Sequence, residues 1–159
     1  MKKLVVYYSR TGNTKFVAEK IAEKLDADLS EVIDKKKREG KLNFLTAGYA
    51  SIREKLTEIK VSKPIEEYEF IIVGTPVWAG KITPAIRKFL ITNDVSDKLV
   101  AFFVTLDEDK PEKSLKNMKE TATPKLLIGE LAITKALERQ EETEEQVTDW
   151  CNQIQKSLN

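Results

Sequence analysis

The chain has 159 residues, 41% hydrophobic and 33% charged, with a formal net charge of +1, which suits one globular domain with a full core. It contains no histidine and a single cysteine, Cys151, so histidine chemistry, a disulfide framework and a cysteine-rich metal site are excluded. Charge is unevenly spread: net +6 over residues 1–64, −1 over 65–129 and −4 over 130–159. The basic run Lys35-Lys36-Lys37-Arg38 reads as a solvated loop, and neither nucleic acid nor a membrane surface is an expected partner.

The first element is the apolar run Leu4–Tyr8, a strand candidate. Lys2-Lys3 before it resembles the start of a leader, but Ser9-Arg10 interrupts the run after five residues. No run reaches the ~18 apolar residues a spanning helix needs, so a cytoplasmic location is expected. Ser9-Arg10-Thr11-Gly12-Asn13-Thr14 follows, and a helical pattern then runs over 14–25. A helix start leaves backbone N–H groups unpaired and carries positive partial charge, which suits an anion. Ser9, Thr11 and Thr14 add hydroxyl donors, and Gly12 permits positive φ or close backbone approach. The segment is predicted to hold a phosphate; the simpler reading is that Ser9, Thr11 or Asn13 only caps the helix.

Asp28–Ile33 is a weaker second strand. Residues 35–63 break the rhythm: Phe44, Leu45 and Tyr49 sit among Gly40, Asn43, Thr46 and Gly48, and 52–56 looks helical. That stretch reads either as a loop over something apolar or as an irregular helix on the sheet. Phe70–Val73 is the third strand, Leu99–Val104 the fourth and Lys125–Ile128 the fifth. The first, third and fourth are nearly continuous apolar runs, as expected for strands covered on both faces of a parallel sheet. Helices are predicted near 83–92, 111–121 and 142–157. The last carries Val147, Trp150, Cys151, Ile154 and Leu158 as one stripe behind an acidic first turn. Alternating β and α units give an α/β fold in one domain over 1–159, with helices on both faces of the sheet.

After the third strand comes Gly74-Thr75-Pro76-Val77-Trp78-Ala79-Gly80-Lys81. It reads as a loop at the carboxyl edge of the sheet, where open α/β sheets bind ligands. A ligand with both a phosphate and a flat apolar part would touch this loop and Ser9–Thr14 together, with Trp78 against the ring. Three other phosphate-binding arrangements fail on spacing. Gly74 and Gly80 have five residues between them, not the four of a Walker loop, and Ile82 follows Lys81. Only Gly12 follows strand 1, short of the dinucleotide fingerprint. The ends of strands 1 and 3 lack the acids of a phosphorylatable receiver.

Ser-Arg-Thr-Gly-Asn-Thr after strand 1 together with Gly-Thr-Pro-Val-Trp after strand 3 resembles the flavodoxin family, over essentially the whole chain. The resemblance implies a three-layer sandwich whose five parallel strands run in the order 2-1-3-4-5, with FMN at their carboxyl ends. It implies that Ser9, Thr11, Gly12, Asn13 and Thr14 surround the FMN phosphate, with Arg10 at the rim. Thr75, Pro76, Val77, Trp78, Ala79 and Gly80 would run along the isoalloxazine. Thr105, Leu106 and Asp107 would form the third wall, and Leu42–Leu56 would lie near the flavin. The near-neutral charge departs from the acidic surface usual in electron-shuttling members. So does the acidic loop Asp107-Glu108-Asp109, where Asp109 is expected to cap the next helix and no metal is expected. The implied function is FMN-dependent electron transfer between a reductase and an acceptor protein. The alternatives are an FMN-dependent NAD(P)H:quinone oxidoreductase and a flavin-free interaction module of the same fold.

Overall fold

The computed structural model describes residues 1–36, 57–107 and 110–159. Seven strands and four helices occur among these residues: β1 Lys3–Tyr7, α1 Asn13–Leu25, β2 Asp28–Asp34, β3 Ile59–Val61, β4 Phe70–Trp78, β5 Lys81–Ile82, α2 Pro84–Thr92, β6 Leu99–Leu106, α3 Glu112–Ala122, β7 Leu126–Thr134 and α4 Gln140–Leu158. Five strands are parallel and lie in the order β2-β1-β4-β6-β7. This is the 2-1-3-4-5 order expected. Two antiparallel pieces were not expected: β3 extends the edge beside β2, and β5 folds back onto the end of β4.

The alternation of side chains along each central strand divides the core into two clusters. On one face Leu4, Val6, Ile71, Val73, Val100, Phe102 and Val104 meet α2 and α3 through Ile86, Phe89 and Met118. On the other, Val5, Tyr7, Phe70, Ile72, Ala101 and Phe103 meet α1 and α4 through Val17, Ile21, Trp150, Cys151 and Ile154. Each strand of the centre is therefore apolar on both sides because each side has a helix layer to bury against. Burial pushes the Tyr7 phenol up to about 12, with Glu31 and Glu19 adding to it. Burial likewise pushes the Cys151 thiol up to about 12.

Two expected boundaries are corrected. The third strand does not stop at Val73 but runs on to Trp78, pairing Thr75 with Val104 and Pro76 with Thr105. It then turns at Ala79 (φ 50°) and Gly80 (φ 73°) into β5, with Val77 opposite Ile82 and Trp78 opposite Lys81. The predicted loop is thus a strand end and a two-residue hairpin turn, and consecutive left-handed residues are what such a tight turn requires. Gly74 is not there to break the strand. A Cβ at that position would run into the Phe103 ring packed across it. The fifth strand continues past Ile128 to Thr134, with a bulge opposite Val100 and Ala101.

Candidate functional site

The carboxyl ends of β1, β4 and β6 border a cleft of about 260 Å³, lined among the described residues by Arg10, Thr11, Asn13, Thr14, Pro76, Val77, Trp78, Thr105, Leu106 and Asp107. Three separated segments predicted to share a site therefore do converge. Ser9, Gly12, Thr75, Ala79 and Gly80 belong to those segments but do not line the cleft; they shape its walls.

Helix α1 starts without any side-chain cap, so the capping reading of the loop does not describe this structure. Gly12 holds φ +97° just before the helix, a conformation an L side chain rarely adopts. The hydroxyls around it are set by local bonds. Ser9 Oγ accepts from the Gly12 N–H at 3.1 Å, and Thr11 Oγ1 accepts from Asn13 Nδ2 at 3.2 Å. Because both oxygens accept, both hydroxyl protons remain available for another acceptor. Thr14 is 1% exposed, and its hydroxyl lies 2.7 Å from that of Thr105 at the end of β6. That buried contact ties the start of α1 to the end of β6.

Trp78 was expected against a ligand, and the structure gives it two roles. It is only 4% exposed and packs in the α2–α3 core, yet it also lines the cleft. Tyr8 meets it edge to face, with ring centroids 5.6 Å apart, and the Arg10 guanidinium lies 5.3 Å from its centroid. Arg10 is therefore placed on the aromatic wall rather than only at the rim of the phosphate loop. Thr75 turns away from the cleft: it is fully buried and bonded to Thr83 and to the Pro76 carbonyl. Glu108, Asp109, Lys37, Arg38 and the Leu42–Leu56 segment lie outside the described residues, and with them the expected cap at Asp109 and the expected flavin-side segment. Helix α3 opens directly after Pro111, whose carbonyl accepts from Ser114 Oγ at 2.8 Å.

One participant was missed in the sequence. The turn joining β7 to α4 reaches the start of α1: the Leu137 N–H donates to Asn13 Oδ1 at 3.0 Å. Leu137 lies in no periodic pattern and beside no motif, so nothing in the sequence marks it.

With this geometry in view, a family model described as Flavodoxin matches residues 2–154. The chain belongs to the flavodoxin family. No curated protein sequence matches it. Among solved structures, this flavodoxin is similar to a flavoprotein of Lactobacillus acidophilus NCFM determined in complex with FMN, at 25% identity and a TM-score of 0.70, covering 87% of this chain and 97% of that one. It is similar in fold to a protein of Bacteroides uniformis ATCC 8492 assigned as a flavoprotein, at 21% identity and a TM-score of 0.76, covering 95% and 97%. Oxidised flavodoxin 2 of Bacillus cereus is similar in fold at 18% identity and a TM-score of 0.63, with 99% of each chain covered.

Proposed function

We propose that this flavodoxin holds FMN in the cleft at the carboxyl ends of β1, β4 and β6 and carries electrons between a reductase protein and an acceptor protein. The observation that supports this most is the pairing of two kinds of wall. One is a positive-φ helix start with spare hydroxyl protons; the other is a flat apolar wall of Pro76, Val77 and Trp78. A ribityl phosphate carries about −1.5 to −2 charge near neutrality and matches the first wall, while a tricyclic ring matches the second. The FMN complex of the Lactobacillus relative supports the same assignment. FMN supplies one- and two-electron redox chemistry. The protein's part is to bind, to orient and to set the local field.

The described walls enclose about 260 Å³, just below the ~300–1,000 Å³ common for small-molecule sites. No histidine exists to move a proton for a substrate. The reading of the chain as an NAD(P)H:quinone oxidoreductase draws its support from Arg10, a cation on the cleft wall that suits an anionic nicotinamide nucleotide.

A visible spectrum of the purified protein, followed by stopped-flow mixing with NADH and with NADPH, tests the proposal. A flavin spectrum that bleaches slowly until a reductase protein is added is the expected result. Fast bleaching by the nucleotide alone, with sustained quinone turnover, would establish the enzyme instead.

A further inference from the structure

The turn between β7 and α4, residues 135–139, touches two walls of the cleft without lining it. Lys135 sits at φ 53° and its N–H donates to the Leu106 carbonyl at 2.9 Å, at the end of β6. Two residues on, the Leu137 N–H donates to Asn13 Oδ1 at 3.0 Å, across 124 positions of sequence. The Leu137 side chain lies over Gly12, with Cδ1 3.4 Å from where a Cβ on that glycine would sit. Asn13 passes the restraint inward, since its Nδ2 donates to Thr11 Oγ1 at 3.2 Å. The turn itself is anchored: Arg139 N–H donates back to the Lys135 carbonyl, and Thr143 in the first turn of α4 donates its hydroxyl to the Ala136 carbonyl. The amide oxygen of Asn13 and one of its two amide N–H groups thus have protein partners.

We infer that Asn13 and Leu137 are positioning residues: the β7–α4 turn works as an external strut that holds Gly12 and Thr11 in the conformation a phosphate needs. Gly12 at positive φ has many alternatives in a free chain. Leu137 covers it from outside, and the Asn13 bond fixes the distance between strut and loop. Thr11, by accepting from Asn13, has its proton directed away from that bond and towards an incoming acceptor. The ordering cost of the loop is met by the fold before the ligand arrives, which is how preorganisation raises affinity. Leu137 is 38% exposed, so shortening it leaves no core cavity.

The inference rests on the FMN reading for its ligand, and two readouts keep the two apart. Flavin titration should show Leu137→Ala and Asn13→Ala each weakening FMN about tenfold, the effect of one lost hydrogen bond or its equivalent in ordering. Riboflavin, lacking the phosphate, should change less than about twofold on the same argument, and Leu137→Met should match the parent. Amide hydrogen exchange of the flavin-free protein should show faster exchange at residues 12–16 in Leu137→Ala, with the melting temperature unchanged. An unaltered FMN-to-riboflavin ratio in both alanine variants, or unaltered exchange in the loop, would overturn the strut. A parent protein that does not prefer FMN to riboflavin would instead overturn the FMN reading, and the exchange result would still decide the strut.

Discussion

Two clusters of hydroxyl residues lie at the carboxyl edge of the sheet, one after β1 and one spanning the end of β4 and the start of α2. In sequence they look alike: Ser9, Thr11 and Thr14 around a glycine, and Thr75 and Thr83 beside Gly74, Pro76 and Pro84. Their bonding is opposite. Thr75 and Thr83 are both fully buried. Thr75 donates to the Pro76 carbonyl at 2.9 Å and accepts from the Thr83 N–H at 3.2 Å. The two hydroxyls are 3.1 Å apart, and Thr83 accepts from the Ile86 N–H as the cap of α2. That cluster is closed on itself and serves the joint between the hairpin and α2. The first cluster is open at Ser9 and Thr11, whose hydroxyls accept from the loop and keep protons to give, while the buried Thr14 hydroxyl is bonded to that of Thr105. Whether a hydroxyl-rich turn binds a ligand is decided by what its hydroxyls have left to offer, more than by how many there are.

The difference should be largest when a negative charge is placed in the open cluster. Thr11→Glu sets a carboxylate where the phosphate charge belongs, and like-charge juxtaposition costs several kcal/mol. FMN affinity should fall by ~100-fold or more in fluorescence titration, with the melting temperature nearly unchanged because Thr11 is exposed. In the closed cluster the pattern should invert. Thr75→Val strands the Thr83 N–H and hydroxyl in a buried setting, at about 1–3 kcal/mol of stability. Urea unfolding should register that loss while the FMN-to-riboflavin ratio holds. Thr83→Ala removes the cap of α2 and should cost about 1 kcal/mol in the same assay. A changed flavin ratio in either variant would show that the closed cluster reaches the ligand after all. The smallest effect is on pH. The open cluster offers hydroxyls and amides that do not titrate near neutrality. The phosphate takes up its second proton near a pKa of about 6, so affinity should rise a few-fold from pH 5 to pH 8. Flat affinity across that range would mean that the loop does not distinguish the two phosphate charge states.

The central strands were legible because their physical cause is local: Leu4–Tyr7, Phe70–Val73 and Val100–Val104 are apolar on both faces and need two helix layers. The helices were legible to within about two residues for the same reason, since their stripes are periodic. The continuation of β4 through Pro76 was not. Gly74 and Pro76 read as breakers, and only the Phe103 ring across the sheet explains why a glycine belongs in mid-strand. Strand β3 was hidden too, because three residues pairing with an edge carry no periodic signal. At the site, the three walls and their convergence were visible as motifs at strand ends. The division of labour within them was not. Thr75 faces protein partners and does not line the cleft, while Asn13 lines it and at the same time bonds to Leu137 and Thr11. The Leu137 contact depends on a fold-level crossing that no local pattern encodes.

Cys151 sits on the buried face of α4, its thiol pushed up to about 12 by its surroundings. At neutral pH it offers almost no thiolate, the form that maleimides, disulfide reagents and peroxides attack. The chain therefore carries a chemically silent native cysteine. A second cysteine introduced on the surface, beside the cleft or on the hairpin tip, would be the single reactive position, so spectroscopic rulers can be attached to the wild-type background without first removing anything.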